Sequence, residues 1–427
     1  MSYTDFLERK RQLKWRHGLD LDPADIHPML HGFQRETVLW AGRTGRSAVF
    51  LDCGMGKTFV QVEWARLMPG RALIVAPLSV ARQTVREAVK IGVEVVYSRD
   101  GRPAGDLTIT NYEMAHLFDP ADFQAIVLDE SSILKNVDGR TRQRLTEQWR
   151  QVEYRMAATA TPAPNDVAEL TNHAEFLGVM SRAEMLAAYF VNDEKNWRLK
   201  GHASDAMYRW MATWATAARA PSDLGWPDDG YVLPKLSIAE ERVHVEVVPE
   251  GQLFATDLGG IGGRAAVRRE TLDARVERTV ELVDHDEQAI VWVGLNDEST
   301  AIARRLGDDA VEVKGSDAPE KKAEALEAFQ DGQVRVLVTK PSIAGFGMNF
   351  QNTHRMVFCG IGDSYEAYYQ AIRRSWRFGQ HYPVDVRIVV SDLESQVVAN
   401  VRRKEREAGR MVEQLVRAVR TNRETAA

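Results

Sequence analysis

One eight-residue stretch constrains this chain more than any other: Leu51-Asp52-Cys53-Gly54-Met55-Gly56-Lys57-Thr58, placed after the apolar run AVFL (48–51) and before the helical run FVQVEWARLM. A glycine-bearing loop between a buried strand and a helix lets successive backbone N–H groups converge on a phosphate, while the helix presents its positive end. Gly54 and Gly56 permit the close approach, Met55 lies between them, Lys57 supplies a point charge to the outer phosphates, and Thr58 offers a hydroxyl to Mg²⁺. Leu51 stands where the full GxxxxGK[ST] pattern has its first glycine.

A loop of this kind needs a parallel sheet behind it, and the neighbouring sequence supplies one. Short apolar runs ALIVA (72–76), VEVVY (93–97), LTIT (107–110), AIVL (125–128) and MAAT (156–159) alternate with amphipathic stretches. Strands buried on both faces read this way. A second series, AIVWV (289–293), VEV (311–313), VRVLV (334–338), RMVF (355–358) and VRIVV (386–390), repeats the period without the letters. The expected fold class is therefore α/β, with two parallel-sheet lobes. Between them, about 166–245, helical spacing dominates, and Trp210 and Trp214 at i,i+4 read as helix packing rather than as a base-stacking platform.

The expected organisation is an N-terminal basic segment (1–24), a first lobe (25–165), a helical insertion and linker (166–245), a second lobe (246–400) and a basic C-terminal helix or tail (401–427). The glycine-rich DLGGIGGRAA (257–266) follows no strand and reads as a flexible surface loop. Residues 402–423 carry eight Arg/Lys against Glu405, Glu407 and Glu413. Arg9 to Arg16 reads equally as an extension of a nucleic-acid path or as a solvated basic helix.

Composition narrows the class. With 55 Lys+Arg against 61 Asp+Glu the net charge is −6, so any polyanion must be met by a local patch rather than by the whole surface. Cys53 and Cys359 are the two cysteines, far apart, which excludes a disulfide framework or a cysteine zinc site and fits a reducing cytoplasm. There is no run of about 18 apolar residues, so neither secretion nor membrane spanning is expected.

Two further groups carry chemistry. Asp129 and Glu130 end the run AIVL, at the carboxyl edge of a parallel sheet, where Asp129 could hold the metal and Glu130 could activate water. In YYQAIRRSWRFGQ (368–380), Gln370, Arg374 and Arg377 fall at i, i+4 and i+7, one face of a helix, with Arg373 beside it. A guanidinium aimed at a transferring phosphoryl group stabilises transition-state charge.

Taken in order, these blocks resemble the motifs of superfamily two helicases, and specifically the Swi/Snf-like ATPases, from about Leu30 to Ser391. LHGFQ (30–34) resembles the adenine-reading glutamine segment, LDCGMGKT the Walker A box, VAPLSV (75–80) and ITNYE (109–113) two nucleic-acid-contacting segments, and LDESSILKN (128–136) the Walker B block. ATATPAPND (158–166) resembles the coupling segment, LPK (233–235) the lead into the second lobe, and SIAGFGMNF (342–350) and QAIRRSWRFGQ (370–380) the last two motifs.

The resemblance implies two RecA-like lobes and assigns roles residue by residue. Gln34, Gly54, Met55, Gly56, Lys57 and Thr58 would bind ATP, Thr58 and Asp129 would hold Mg²⁺, and Lys57, Asp129 and Glu130 would serve hydrolysis. Arg374 and Arg377 would be arginine fingers, and Gly345 and Gly347 a tight loop between nucleic acid and nucleotide. Pro77, Leu78, Ser79, Thr110, Asn111, Ser342 and Gly345 would meet nucleic acid, and Thr159, Thr161 and Gln370 would couple the two activities. Ser131-Ser132 replaces the usual Ala-His after the acids, and Ala160 stands where glycine is common. Both leave the hydrolytic groups in place and bear on coupling.

The implied activity is ATP-driven translocation along duplex DNA without strong sequence preference, by a minimal motor like those of phages and bacteria, working in a bacterial or phage-infected cytoplasm. A strand-separating helicase, an ATP-gated clamp on DNA or protein with slow turnover, and an RNA motor are the alternatives. No membrane partner is expected.

Overall fold

The computed structural model describes residues 18–135, 139–193, 197–244, 270–344 and 349–426. The basic stretch Arg9 to Arg16, the glycine-rich 257–266 and both Gly345 and Gly347 lie outside them. The chain divides into two compact units, one made of residues 1–231 and 406–427 and the other of 232–405.

The first unit opens with α1 (Gly32–Thr44), β1 (Arg46–Leu51), α2 (Lys57–Leu67), β2 (Ala72–Ala76), α3 (Leu78–Lys90), β3 (Val96–Tyr97), β4 (Leu107–Asn111) and β5 (Ala125–Asp129). It continues through α4 (Arg140–Gln148), β6 (Tyr154–Ala158), α5 (Leu170–Leu177), α6 (Arg182–Tyr189), β7 (Phe190–Asn192), β8 (Trp197–Leu199), α7 (Ser204–Met211) and β9 (Ala215–Ala218). Seven strands form one parallel sheet in the order β3-β4-β2-β5-β6-β1-β9, and β7 and β8 make a separate antiparallel pair. Every residue of β2, β4, β5 and β6 is buried. Helices on both faces of a parallel sheet dictate this, and it explains why these strands are continuous apolar runs without alternation.

The segment read as a helical insertion holds the three short helices α5, α6 and α7, and with them β7, β8, β9 and a further strand at Leu236–Val243. β9 pairs with β1, Leu51 opposite Ala218, and the Asp52 N–H donates to the Ala218 carbonyl at 3.0 Å. Trp214 just before β9 is buried, its ring 5.4 Å edge-on to Trp210, which itself stacks on Tyr189. The tryptophan pair is core packing, but not through a shared helix face: α7 ends at Met211, and Trp214 reaches the core from the turn before β9.

The second unit contains β10 (Leu236–Val243), α8 (Leu272–Leu282), β11 (Ala289–Val293), α9 (Asn296–Leu306), β12 (Ala310–Val313), α10 (Pro319–Gln330), β13 (Val336–Thr339), α11 (Pro341–Ala344), β14 (Arg355–Cys359), α12 (Tyr365–Ile372) and β15 (Val384–Ser391). Its sheet is parallel, in the order β10-β15-β14-β11-β13-β12. The final helix, α13 (Ser395–Ala426), passes into the part of the chain that belongs to the first unit. There Gln414 accepts from Ser204 at 3.0 Å and Arg423 pairs with Glu36 at 2.9 Å.

An ion pair sits inside the second core. Glu298, in the first turn of α9, accepts the Gly294 and Leu295 N–H groups at 2.8 and 2.9 Å and so satisfies donors at the helix start. Its other oxygen accepts from Arg275 of α8 at 2.6 Å, and both side chains are fully buried. Arg275 also donates to the Cys359 carbonyl at 3.2 Å, tying α8, α9 and β14 together. Removing one partner strands a buried charge, so Arg275→Ala should cost about 3–5 kcal/mol in equilibrium denaturation. Because buried Glu394 also lies 3.8 Å from Arg275, the triple variant Arg275→Met, Glu298→Gln, Glu394→Gln, which removes every charge and keeps the acceptor oxygens, should lose less, and equal losses for the two would show that the charge pairing is not what matters there.

Candidate functional site

In the first unit, the sheet topology brings the candidate groups to one edge. β4, β2, β5, β6 and β1 are adjacent and parallel, so Asn111, Pro77, Asp129, Thr159 and Asp52 all follow or close strands at the carboxyl side. Strands buried on both faces leave their ends as the place where polar side chains can act.

The loop from Asp52 to Gly56 turns into α2 through two left-handed glycines, Gly54 at φ 85° and Gly56 at φ 75°. A Cβ on Gly56 would lie 2.2 Å from Nε2 of Gln34, so that position excludes a side chain by contact as well as by conformation. Gln34 braces the loop: Nε2 donates to the Met55 carbonyl at 3.0 Å, and Oε1 accepts from the His31 N–H at 2.9 Å. Met55 is fully buried, so only its backbone faces the loop's concave side. Lys57 opens α2 and donates through Nζ to the carbonyls of Leu51 at 2.9 Å and Asp52 at 3.3 Å. Thr58 follows it, half-buried.

Asp129 is buried at the end of β5. Its Oδ1 accepts from Gln61 Nε2 at 2.8 Å and from the Glu130 N–H at 3.0 Å. Burial holds this carboxyl above the usual range, against the opposing pull of Gln61, of the Lys57 charge and of the Glu130 amide. Gln61 is a residue that motif reading passes over, although it stands one helical turn beyond Lys57 and therefore on the same face of α2. A buried carboxylate with a second oxygen beyond these bonds is a hard oxygen donor of the kind Mg²⁺ accepts, as is a threonine hydroxyl, with the remaining positions going to phosphate and water. No cluster of three or more His, Cys, Asp or Glu that could hold a metal alone occurs among the described residues. Thr58 and Asp129 thus fit a metal shared with phosphates.

Glu130 has φ 52°, the only left-handed non-glycine among the described residues. Such a conformation costs on the order of 1–3 kcal/mol and persists where surroundings impose it. Here Tyr112 donates its hydroxyl to the Asp129 carbonyl at 2.6 Å, and Thr159 donates to Glu130 Oε2 at 3.1 Å. The Thr159 hydroxyl also accepts from the Thr161 N–H at 3.1 Å, so the candidate base is joined directly to the candidate coupling segment. Behind it, Ser131 Oγ lies 3.1 Å from Nε2 of His173 on α5.

The candidate nucleic-acid residues separate by exposure. Leu78 and Ser79 are exposed at the start of α3 and Pro77 is half-buried. Thr110 and Asn111 are buried, and the Asn111 carboxamide is engaged by Tyr97 at 2.9 Å and by Glu113. Their side chains brace the strand end and are not presented outward.

In the second unit, Ser342 is exposed on α11 and lines a cavity of about 270 Å³ at the carboxyl edge of the sheet, with Lys340, Gly294 and Gly360. The one-face reading of Gln370, Arg374 and Arg377 requires correction: α12 ends at Ile372, and both arginines follow in a turn. The turn holds because the Phe350 N–H donates to the Arg374 carbonyl at 2.9 Å and Ser375 Oγ donates to the Phe350 carbonyl at 2.9 Å. Arg374 is buried and donates to Gln370 Oε1 at 2.7 Å, whereas Arg377 is half-buried. Arg373 stacks over Trp376 at 4.3 Å and Tyr369 at 5.2 Å, a packing role.

Comparison with known proteins bears on these readings. Residues 274–379 match the family model described as helicase conserved C-terminal domain. A curated relative is 31% identical over 175 residues: the SWI/SNF-related matrix-associated actin-dependent regulator of chromatin subfamily A-like protein 1 of Xenopus tropicalis. The chain thus resembles the Swi/Snf-like proteins of superfamily two. The match to that relative takes in 36% of this chain and only 18% of the relative. A solved structure, the Sulfolobus solfataricus SWI2/SNF2 ATPase core in complex with dsDNA, aligns over 92% of this chain and 99% of its own, at 19% identity and a TM-score of 0.44. No described helix of the chain is long and apolar enough to cross a membrane.

Burial pulls the His173 imidazole down to about 4. Between that value and the ordinary 6.5 the unfolded chain binds the extra proton, so this group's contribution to stability is full above about 6.5 and is lost as pH falls toward 4. Asp129 and Glu169, both raised by burial, act in the opposite sense. Comparison with His173→Asn isolates the histidine: denaturation at pH 7 and pH 4.5 should show a pH-dependent loss smaller in the variant by on the order of 2 kcal/mol. Identical pH dependence would mean that His173 takes up its proton equally in the folded and the unfolded chain.

Proposed function

We propose that this chain is an ATP-dependent motor that hydrolyses ATP with Mg²⁺ and translocates along duplex DNA with little sequence preference. The observation that carries the proposal is the Lys57 loop, buried Asp129 and left-handed Glu130 at one sheet edge, with Glu130 bonded through Thr159 to the following segment. Scaffolding alone has no use for a strained carboxylate beside a phosphate loop.

In this reading Gly54 to Thr58 cradle the phosphates and Lys57 exchanges its carbonyl partners for phosphate oxygens. Gln34 fixes the loop and contacts adenine. Thr58 and Asp129 hold the magnesium, which when bound offsets phosphate charge. Glu130 takes the proton from the attacking water, and Thr159 fixes the carboxylate that does so. Arg374 and Arg377 stabilise the charge developing on the transferred group, with Gly347 near the nucleotide. The exposed start of α3, with Ser342 and Gly345 in the second unit, supplies backbone contacts to DNA, which are independent of sequence and weaken with salt. Duplex DNA is proposed because the chain is Swi/Snf-like. The setting proposed is the cytoplasm, consistent with two free cysteines.

Steady-state ATP hydrolysis without nucleic acid and with single strands, linear duplex, forks and RNA tests this. Stimulation by plain duplex is expected, together with displacement of a third strand from a triplex. Preference for forks or single strands would replace translocation by strand separation, RNA preference would name an RNA motor, and no stimulation would favour a gated clamp. Glu130→Gln should lower turnover by about 10²–10⁴-fold with nucleotide still bound. Arg377→Ala should lower it by about 10³-fold or more at unchanged nucleotide affinity. Unchanged turnover in Glu130→Gln would remove the assigned base.

A further inference from the structure

A cavity of about 750 Å³ in the first unit lies away from the candidate site. Arg46 begins β1 and Arg155 is the second residue of β6, so both mark the amino edge of the sheet, opposite the Lys57 loop. Arg155 is 2% exposed and meets no carboxylate. Its guanidinium donates only to backbone carbonyls, those of Val152 at 2.9 Å, Phe176 at 2.6 Å and Arg150 at 2.5 Å. Arg46 is half-buried, donates to the Glu153 carbonyl at 3.0 Å and has its charge offset in part by the Glu153 carboxylate, while burial outweighs that help. Gly178, at φ 70°, lets both come close: a Cβ there would sit 3.1 Å from Arg46 Nη1 and 3.2 Å from Arg155 Nη1.

Burying a charge without an opposite charge is costly, and placing a second cation beside it raises the cost. The strain is visible in Arg155, whose guanidinium is pulled down to about 9 by burial and by the charges of Arg46 and Arg150. Arg142, also on the cavity wall, is already answered by Glu175 at 2.5 Å, and Glu147 and Glu184 line the exposed side. The excess positive charge is therefore confined to the floor, where Arg46 and Arg155 meet. Arg155 satisfies the Val152, Phe176 and Arg150 carbonyls, but that task does not need a second guanidinium beside it, and a compact multivalent anion would neutralise the pair and accept from the N–H groups these bonds leave.

We propose that this cleft binds a small polyphosphate anion, free or carried on a nucleotide, at a site separate from the Lys57 loop. The Arg46 and Arg155 floor holds the phosphates, and the exposed helix α4 forms the mouth. Binding there relieves the repulsion between β1 and β6, the strands that at their other ends lead to the Lys57 loop and to Thr159.

Calorimetric titration of the full chain with inorganic pyrophosphate tests the proposal through stoichiometry. Two sites are expected in the parent, one in Lys57→Ala, one in Arg46→Ala and none in the double variant. In the Lys57→Ala chain, Gln143→Glu, an exposed change on α4 that adds a negative charge at the mouth, should weaken binding roughly tenfold with unaltered thermal unfolding. ADP binding there as well as or better than pyrophosphate, with adenosine not binding, supports an anion site and tells a nucleotide from the free anion. No binding to the Lys57→Ala chain, binding indifferent to both Arg46→Ala and Gln143→Glu, or binding of ADP without pyrophosphate would overturn the proposal. A parent with one site, lost in Arg46→Ala and kept in Lys57→Ala, would uphold this site while removing the phosphate role of Lys57.

Discussion

A parallel strand covered on both faces can offer chemistry only at its ends, and the site in the first unit follows from that constraint. The interiors of β2 and β5, the central strands beside the site, are given over to Ala, Val, Ile and Leu. What remains is an edge one residue deep, on which Asp52, Asp129, Thr159 and the start of α3 are set side by side by strand order alone. The spacing in sequence between Lys57 and Asp129 is irrelevant to their proximity. Two intervening registers, β1 on β6 and β6 on β5, determine it.

Once there, the groups regulate one another. Asp129 pays for its burial through Gln61 and the Lys57 charge, while Lys57 is steadied by carbonyls of its own loop. Glu130 is the one residue forced out of the ordinary backbone regions, and the hydroxyl of Thr159 answers its carboxylate. The strained position and the segment assigned to coupling therefore share a single hydrogen bond. In the second unit the same economy appears in a different form, with Arg374 locked by Gln370 and by the backbone at Phe350, and Arg377 left nearer the surface.

Much of this was legible in the letters. The apolar runs mark the strands, the glycines mark the loop, and the acids at the end of AIVL mark the edge, because each is a local consequence of backbone geometry or burial. What was not legible is what depends on packing across the chain. Periodicity placed Arg374 and Arg377 on a helix face, yet a competing contact from Phe350 ends the helix at Ile372. Thr110 and Asn111 sit in a motif that suggests contact with nucleic acid, and only burial reveals that they face inward. Tyr112 and His173 have no spacing signature at all. Gln61 had one, being a single turn from Lys57. β9 escaped because ATAA is too short and too small to stand out from the helices before it.

That short strand also bears on how the molecule is made. Leu51 has a neighbour on each side only when Ala218 has left the ribosome, and the amide of Asp52 finds its acceptor at the same moment. Residues from Arg406 onward belong to the first unit too, although the whole of the second is translated before them. Synthesis from the N-terminus therefore leaves the first unit unfinished while the second is complete in one continuous stretch, and the order in which the two reach their final form is the reverse of the order in which they begin.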